Sequence, residues 1–140
     1  MDFEAKIAEL GLLIPKPAKP AGSYKPCVIV DNFAYISGQG PLLEDGSFAK
    51  GKVGADVDLE TAQNHARLCG LAILSALKNE IGSINKVDQL IKLTGFVNCI
   101  ESFTQQPLVI NGCSNMMKDI FGETGVCLLY TSDAADDRRC

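Results

Sequence analysis

Apolar side chains recur at three- and four-residue steps through Leu59, Ala62, Ala66, Cys69, Ile73, Ala76 and Leu77. That is the period of a helix that buries one face. Asp58 stands where an N-cap is wanted and Glu60 suits the positive end of the helix dipole, so the helix is predicted to begin at Asp58. Gly82 supplies the left-handed stop, and Gly70 reads as a weak spot inside the helix. A second helix is predicted after Gln105-Gln106-Pro107, with Val109, Met116, Ile120 and Phe121 along it and Gly122 at its end. Near the N-terminus, Phe3, Ile7, Leu10 and Leu13 or Ile14 approach helical spacing, but Gly11 interrupts them and only a short, frayed helix is expected.

Between the helices the period changes to two. Cys27–Val30 and Phe33–Ser37 read as strands joined by an Asp31-Asn32 hairpin turn. A short third strand is expected at Gly51–Val53, after the Asp45-Gly46 turn, and a longer one at Val87–Val97. Pro15, Pro17, Pro20 and Pro26 remove amide donors from the lead into the first strand, which should drape over a surface in extended form. The order strand, strand, short strand, helix, strand, helix is that of an α+β sheet with both helices on one face.

With 140 residues the chain has room for one domain. The net charge is −4 and the basic residues are scattered, which argues against a nucleic-acid partner. No apolar run is long enough to span a bilayer, and the acidic N-terminus lacks the features of a signal peptide, so a cytoplasmic protein with no membrane partner is expected. The six cysteines show no C-x-x-C spacing and there is one histidine, so reduced, mostly buried thiols and no metal site are expected. SGQGP and GSFAKGK both miss the register of phosphate-binding loops, and no cofactor is implied.

Three stretches, AGSYKPCVIVDNFAYISGQGPL, GKVGADVDLETAQNHARLCGLAILSALK and KLTGFVNCIESFTQQPLVINGCSNMMKDIFGETG, resemble the RidA family, also called YjgF-like or endoribonuclease L-PSP proteins. The likeness is to the longer subgroup with an N-terminal helix, and it covers residues 1 to about 126. The resemblance implies a chorismate-mutase-like mixed sheet with two helices on one face, assembled as a homotrimer with a cleft at each subunit boundary. It also implies hydrolysis of reactive enamines and imines such as 2-aminoacrylate, a small carboxylate-bearing substrate. That chemistry needs a cation for the carboxylate, a bound water and a group that manages protons. The alternative is a non-catalytic trimeric module that binds a small metabolite in the same cleft, and a ribonuclease reading ranks third.

Residue by residue, Tyr24 matches the family tyrosine that edges the cleft, Ser37 the serine at the end of the second strand, and Asn111 an asparagine on the second helix. Each also has a plainer reading. Tyr24 could cap apolar surface beside proline, Ser37 could satisfy a strand end, and Asn111 could bond its own backbone. His65 reads as a surface residue and Arg67 as a solvated charge of the helix that begins at Asp58, and Glu123 as an exposed helix-end residue. The family arginine, in an A-R-S-like strand after the second helix, and the glutamate of the final strand have no counterpart here, so turnover by this form is not expected.

The departure begins just past Gly125. CLLYTSDAADDRRC lacks the alternation of a core strand, and Cys127 to Asp136 also resembles a translated transposase-type sequencing adapter. The expected organisation is therefore an incomplete domain over 1–126, lacking the last two strands of its fold, and a non-native tail over 127–140.

Overall fold

The computed structural model describes residues 2–134. Its elements in chain order are helix α1 (Phe3–Glu9), strands β1 (Cys27–Val30) and β2 (Phe33–Ile36), helix α2 (Leu59–Ile81), strand β3 (Lys92–Val97), helix α3 (Gln106–Phe121) and strand β4 (Leu128–Asp133). The strands form two separate ribbons: β1 and β2 pair antiparallel, and β3 and β4 pair in parallel. Both helices lie on one side of them, so the architecture is α+β as expected.

Local chemistry explains the boundaries. The Asp58 carboxylate accepts from the Thr61 amide at 2.8 Å, which caps α2, and Gly82 ends the helix at φ 89°. Asp31 adopts φ 52° in the two-residue turn of the hairpin, a conformation aspartate tolerates. The segment expected as a third strand forms only isolated bridges at Val53, to Val57 and Cys99. The long strand expected from Val87 is shorter, starting at Lys92, because Ile84–Lys86 form a 3-10 turn and the Leu90 amide is taken by the Thr124 carbonyl.

Two glycines set the distance between the helices. A Cβ on Gly112 would fall inside the van der Waals radius of the Gln63 carbonyl, and one on Gly70 would meet Met116 Cε at 2.7 Å and Cys113 Sγ at 2.8 Å. Gly70, a liability by helix propensity, is thus the place where α3 side chains enter α2. Val109, Cys113, Met116, Met117, Ile120 and Phe121 bury the inner face of α3. Helix α1 closes the end of this core: Phe3 and Ile7 are buried, and the Phe3 ring meets Phe121 edge-on at 4.8 Å. Around it, Lys78 Nζ donates to Glu4 Oε1 at 2.7 Å, the Ser83 hydroxyl donates to Glu4 Oε2 at 3.3 Å, and the Glu4 amide donates to Asn85 Oδ1 at 2.9 Å.

One expectation needs correction. The segment after Gly125, read as unsuited to a core strand, forms β4, with Leu128 to Asp133 in parallel register against Lys92 to Val97. Parallel pairing is a backbone interaction and asks only for an extended chain, which Leu128, Leu129, Tyr130 and Thr131 tolerate well. What the segment lacks is burial: Leu128 and Tyr130 remain 68% and 53% exposed. It is a strand without a core face. The rest of the expected tail, 135–140, lies outside the described residues.

Gly112→Ala should destabilise the fold by roughly 1–3 kcal/mol, because neither helix backbone can yield cheaply. Gly38→Ala, with nothing within 4 Å of the added carbon, should be close to neutral. Urea unfolding of the two variants checks this contrast. A second expectation concerns acid. The Lys78 hydrogen bond, aided by its charge and opposed by partial burial, holds the Glu4 carboxyl below its usual 4.5. Its folded pKa is depressed, so its contribution is present above about pH 4.5 and is lost as pH falls through the folded value. Glu4→Gln should lower Tm slightly at pH 7, within the ~0–1 kcal/mol of a half-exposed pair. The deficit should shrink as the carboxyl takes up its proton, as measured by thermal melts at descending pH below 4.5.

Candidate functional site

The two ribbons leave a groove of about 700 Å³ between β2 and β3. Ala34 and Ile36 stand on one wall and Lys92 through Val97 on the other, while α2 and α3 supply the floor with Ala66, Cys69, Ile73, Val109 and Cys113. The only formally charged side chains in its lining are Lys50 and Lys92, and His65 of α2 also borders it. The floor is therefore apolar; of the two lysines, Lys92 carries its ammonium over the Tyr130 ring of β4, 5.8 Å from the centroid, and Lys50 belongs to the loop before α2.

Ser37 belongs to the lining of this groove. It occupies the first position after β2, where its amide donates to the Pro26 carbonyl at 2.9 Å and continues the hairpin ladder. Its hydroxyl donates to the Lys25 carbonyl at 2.5 Å, which leaves the oxygen lone pairs able to accept. Gln39 Nε2 donates to the Ser37 carbonyl at 3.2 Å. The plain strand-end role and a ligand contact are compatible at this residue.

Tyr24 and Asn111 do not join Ser37 in the groove lining of this chain. Tyr24 is 51% exposed, and its phenol oxygen accepts from the Ala21 amide at 3.2 Å. It is tied to Ser37 indirectly, because the Lys25 carbonyl that the Ser37 hydroxyl holds is its immediate neighbour. Asn111 is half-buried on α3, and its side-chain oxygen accepts from the Ser114 hydroxyl at 3.4 Å. Arg67 is held on the helix surface, donating to Asn64 Oδ1 through Nε at 3.3 Å and Nη2 at 2.9 Å.

Sequence reasoning passed over several groove residues. His65 was read as a surface group and is half-buried in the groove wall. Lys50, Lys92 and the floor thiols carried no motif, since it is the spacing between two ribbons that brings them together. Burial pushes the Cys69 thiol up to about 11, and burial with the neighbouring Cys69 pushes Cys113 up to about 12. Both are therefore neutral near pH 7 and serve as floor, not as nucleophiles. Beyond the groove, Cys99 Sγ lies 3.2 Å from Asp133 Oδ2 and accepts from Gln106 Nε2 at 3.6 Å, which joins the end of β4 to the start of α3. Burial, and then the Asp133 carboxylate, raise the Cys99 pKa. Among the described residues no cluster of three or more His, Cys, Asp or Glu is placed to hold a metal ion. No helix there is long and apolar enough to cross a membrane.

The geometry has counterparts in known proteins. The family described as "YjgF/chorismate mutase-like, putative endoribonuclease" matches residues 4–133. Protein TCP17 of Trypanosoma cruzi is 34% identical over 119 residues, which is 85% of this chain and 74% of that protein. The crystal structure of Atu1372, a protein of unknown function from Agrobacterium tumefaciens, superposes with a TM-score of 0.85 at 38% identity. It covers 95% of this chain and 83% of its own. That of a "putative endoribonuclease" from Shewanella oneidensis gives 0.87 at 30% identity, covering 94% and 89%. The family match takes in β4. The chain belongs to the YjgF/chorismate mutase-like family.

Proposed function

We propose that this cleft is that of a hydrolase for small enamine or imine acids working between subunits, and that the present chain binds such acids without turning them over. The observation that carries the reading is Ser37, which lines an apolar groove whose lining includes Lys50 and Lys92 and no carboxylate side chain. In the reaction, water adds to the imine carbon and ammonia leaves, so that 2-aminoacrylate and water give pyruvate and ammonia. A fixed cation must hold the carboxylate while a proton moves from water to nitrogen.

The strand after the second helix is where the resemblance implies that cation. Here it reads Leu128-Leu129-Tyr130-Thr131-Ser132-Asp133, with no arginine. Lysine in the groove lining is a mobile point charge and does not replace a bidentate guanidinium. The same observation favours the second reading for this chain, a module that holds a small carboxylate without chemistry. Family membership alone does not decide between the two.

Assembly through the outer sheet face belongs to the proposal. Val28 and Tyr35, and Val30 and Phe33, are opposed pairs on one face of the β1–β2 hairpin, and all are between 43% and 61% exposed. Phe96 and Tyr130 add apolar surface on the other ribbon. Covering such a patch is what a second and third copy would do. A ribonuclease is less well supported, since the net charge is −4 and no basic stripe runs along the chain.

In a coupled assay that generates 2-aminoacrylate in place, the chain should not accelerate ammonia release above buffer. It should still bind pyruvate saturably, with the Ser37 hydroxyl turned from the Lys25 carbonyl to donate to the carboxylate, and Ser37→Ala should weaken that binding by about tenfold, the effect of one hydrogen bond to a charged group. Turnover abolished by Ser37→Ala would refute the requirement for the guanidinium, and absence of any carboxylate binding would remove the site. Sedimentation should show self-association with a trimer as its end point. Tyr35→Glu should shift it to monomer while the helical circular dichroism is retained.

A further inference from the structure

Away from the groove, the lead from α1 to β1 has its backbone set by proline. Pro15, Pro17 and Pro20 each fix their own φ at about −65°, and each drives the residue before it out of the helical region. From Ile14 to Pro20 only Ala18 escapes both restrictions. The segment accordingly has no helix, strand or turn from Leu12 to Pro20, and among the described residues no amide from Leu13 to Lys19 donates to a protein group. Such a chain is a left-handed extended helix with three residues per turn. It is pinned at both ends: the buried Ser75 hydroxyl of α2 donates to the Pro15 carbonyl at 2.6 Å, and the Ser37 hydroxyl holds the Lys25 carbonyl. Every residue from Lys16 to Lys25 is exposed. Three residues per turn sort the side chains into edges, with Leu13, Lys16 and Lys19 along one and Ile14, Pro17 and Pro20 along the next. Leu13 is 80% exposed, the most of any large apolar side chain among the described residues. Neither lysine has an ion pair or side-chain hydrogen bond there, and no acid lies between Glu9 and Asp31 in a chain of net charge −4. Beneath Pro17 and Ala18 the space against α2 is about 20 Å³, room for one water, so the segment can be read only from outside.

We infer that Leu13–Pro20 is a docking ligand for a partner protein whose surface carries aromatic slots flanked by carboxylates. This goes beyond the proposed activity and does not depend on it. The slots take the Pro17 and Pro20 edge, which offers apolar surface already fixed in one conformation, so little ordering entropy is lost on binding. The carboxylates take Lys16 and Lys19, which three residues of rise set about 9 Å apart along the same side. That charge complementarity selects an acidic partner over a basic one and fixes the direction in which the segment lies. Other polyanions fit less of what is exposed. A nucleic acid would use the lysines and leave the proline edge unread. A membrane surface would find one leucine to insert and too few lysines to hold the chain.

The test titrates the full, isotope-labelled chain with an isolated SH3 domain that has carboxylates beside its aromatic slots, and follows amide shifts by NMR. Saturable shifts should appear at Leu13, Ile14, Lys16, Ala18 and Lys19 and leave the α3 amides unmoved. Pro17→Ala combined with Pro20→Ala should weaken binding about tenfold. Lys16→Glu combined with Lys19→Glu should weaken it by at least about tenfold, while Lys118→Gln, on the exposed side of α3, should leave it unchanged. Helical circular dichroism should be the same in all of these variants. No saturable binding would overturn the inference, and so would binding that survives either double substitution. Capture by phosphatidylglycerol vesicles that needs the lysines but not the prolines would overturn it in favour of a membrane. Slow exchange of the five amides before the domain is added would overturn it in favour of another copy of this chain.

Discussion

The close approach of α2 and α3 at Gly112 and Gly70 is the constraint from which the remaining geometry follows. With no side chain at either point, backbone of one helix meets backbone or sulfur of the other, and the pair becomes a single rigid floor. The floor is wide enough for more strands than the two ribbons supply. Each ribbon anchors to it through its own buried residues, Cys27 for one and Val97 for the other, and the space between them becomes the groove. Ser37, the two lysines and the neutral thiols are neighbours because of that floor, although no sequence motif links them.

Helices were the most legible part of the fold. Caps at Asp58 and Gly82 and the apolar steps between them are local signals, and the helix begins and ends where they stand. The hairpin was legible for the same reason, since Asp31-Asn32 fixes both its turn and its register. The β3 boundary was not, because Val87 to Ile91 alternate well enough for a strand but their backbone is claimed by a 3-10 turn and by Thr124. Strand β4 was hidden for the opposite reason. Its side chains carry no burial pattern, and only the β3 backbone beside it makes it a strand.

The candidate site was legible only in part. Ser37 could be placed at a strand end from its position, and it belongs to the groove lining. Tyr24 and Asn111 were carried by resemblance, and within one chain each is engaged with its own neighbours, the Ala21 amide and the Ser114 hydroxyl. Lys50, Lys92 and His65 come from three elements distant in sequence. Only the packing of ribbons on the helix floor brings them into one lining, and no local pattern encodes that.

The seating of α1 has a consequence for how the molecule is made. Phe3 rests on Phe121 and Glu4 reaches Lys78, so α1 has its docking surface completed only when the end of α3 has been made. A seven-residue helix is too short to persist alone in water. During synthesis Phe3 and Ile7 therefore wait without their burial partners until α3 is made, and α1 is the last of the helices to lock.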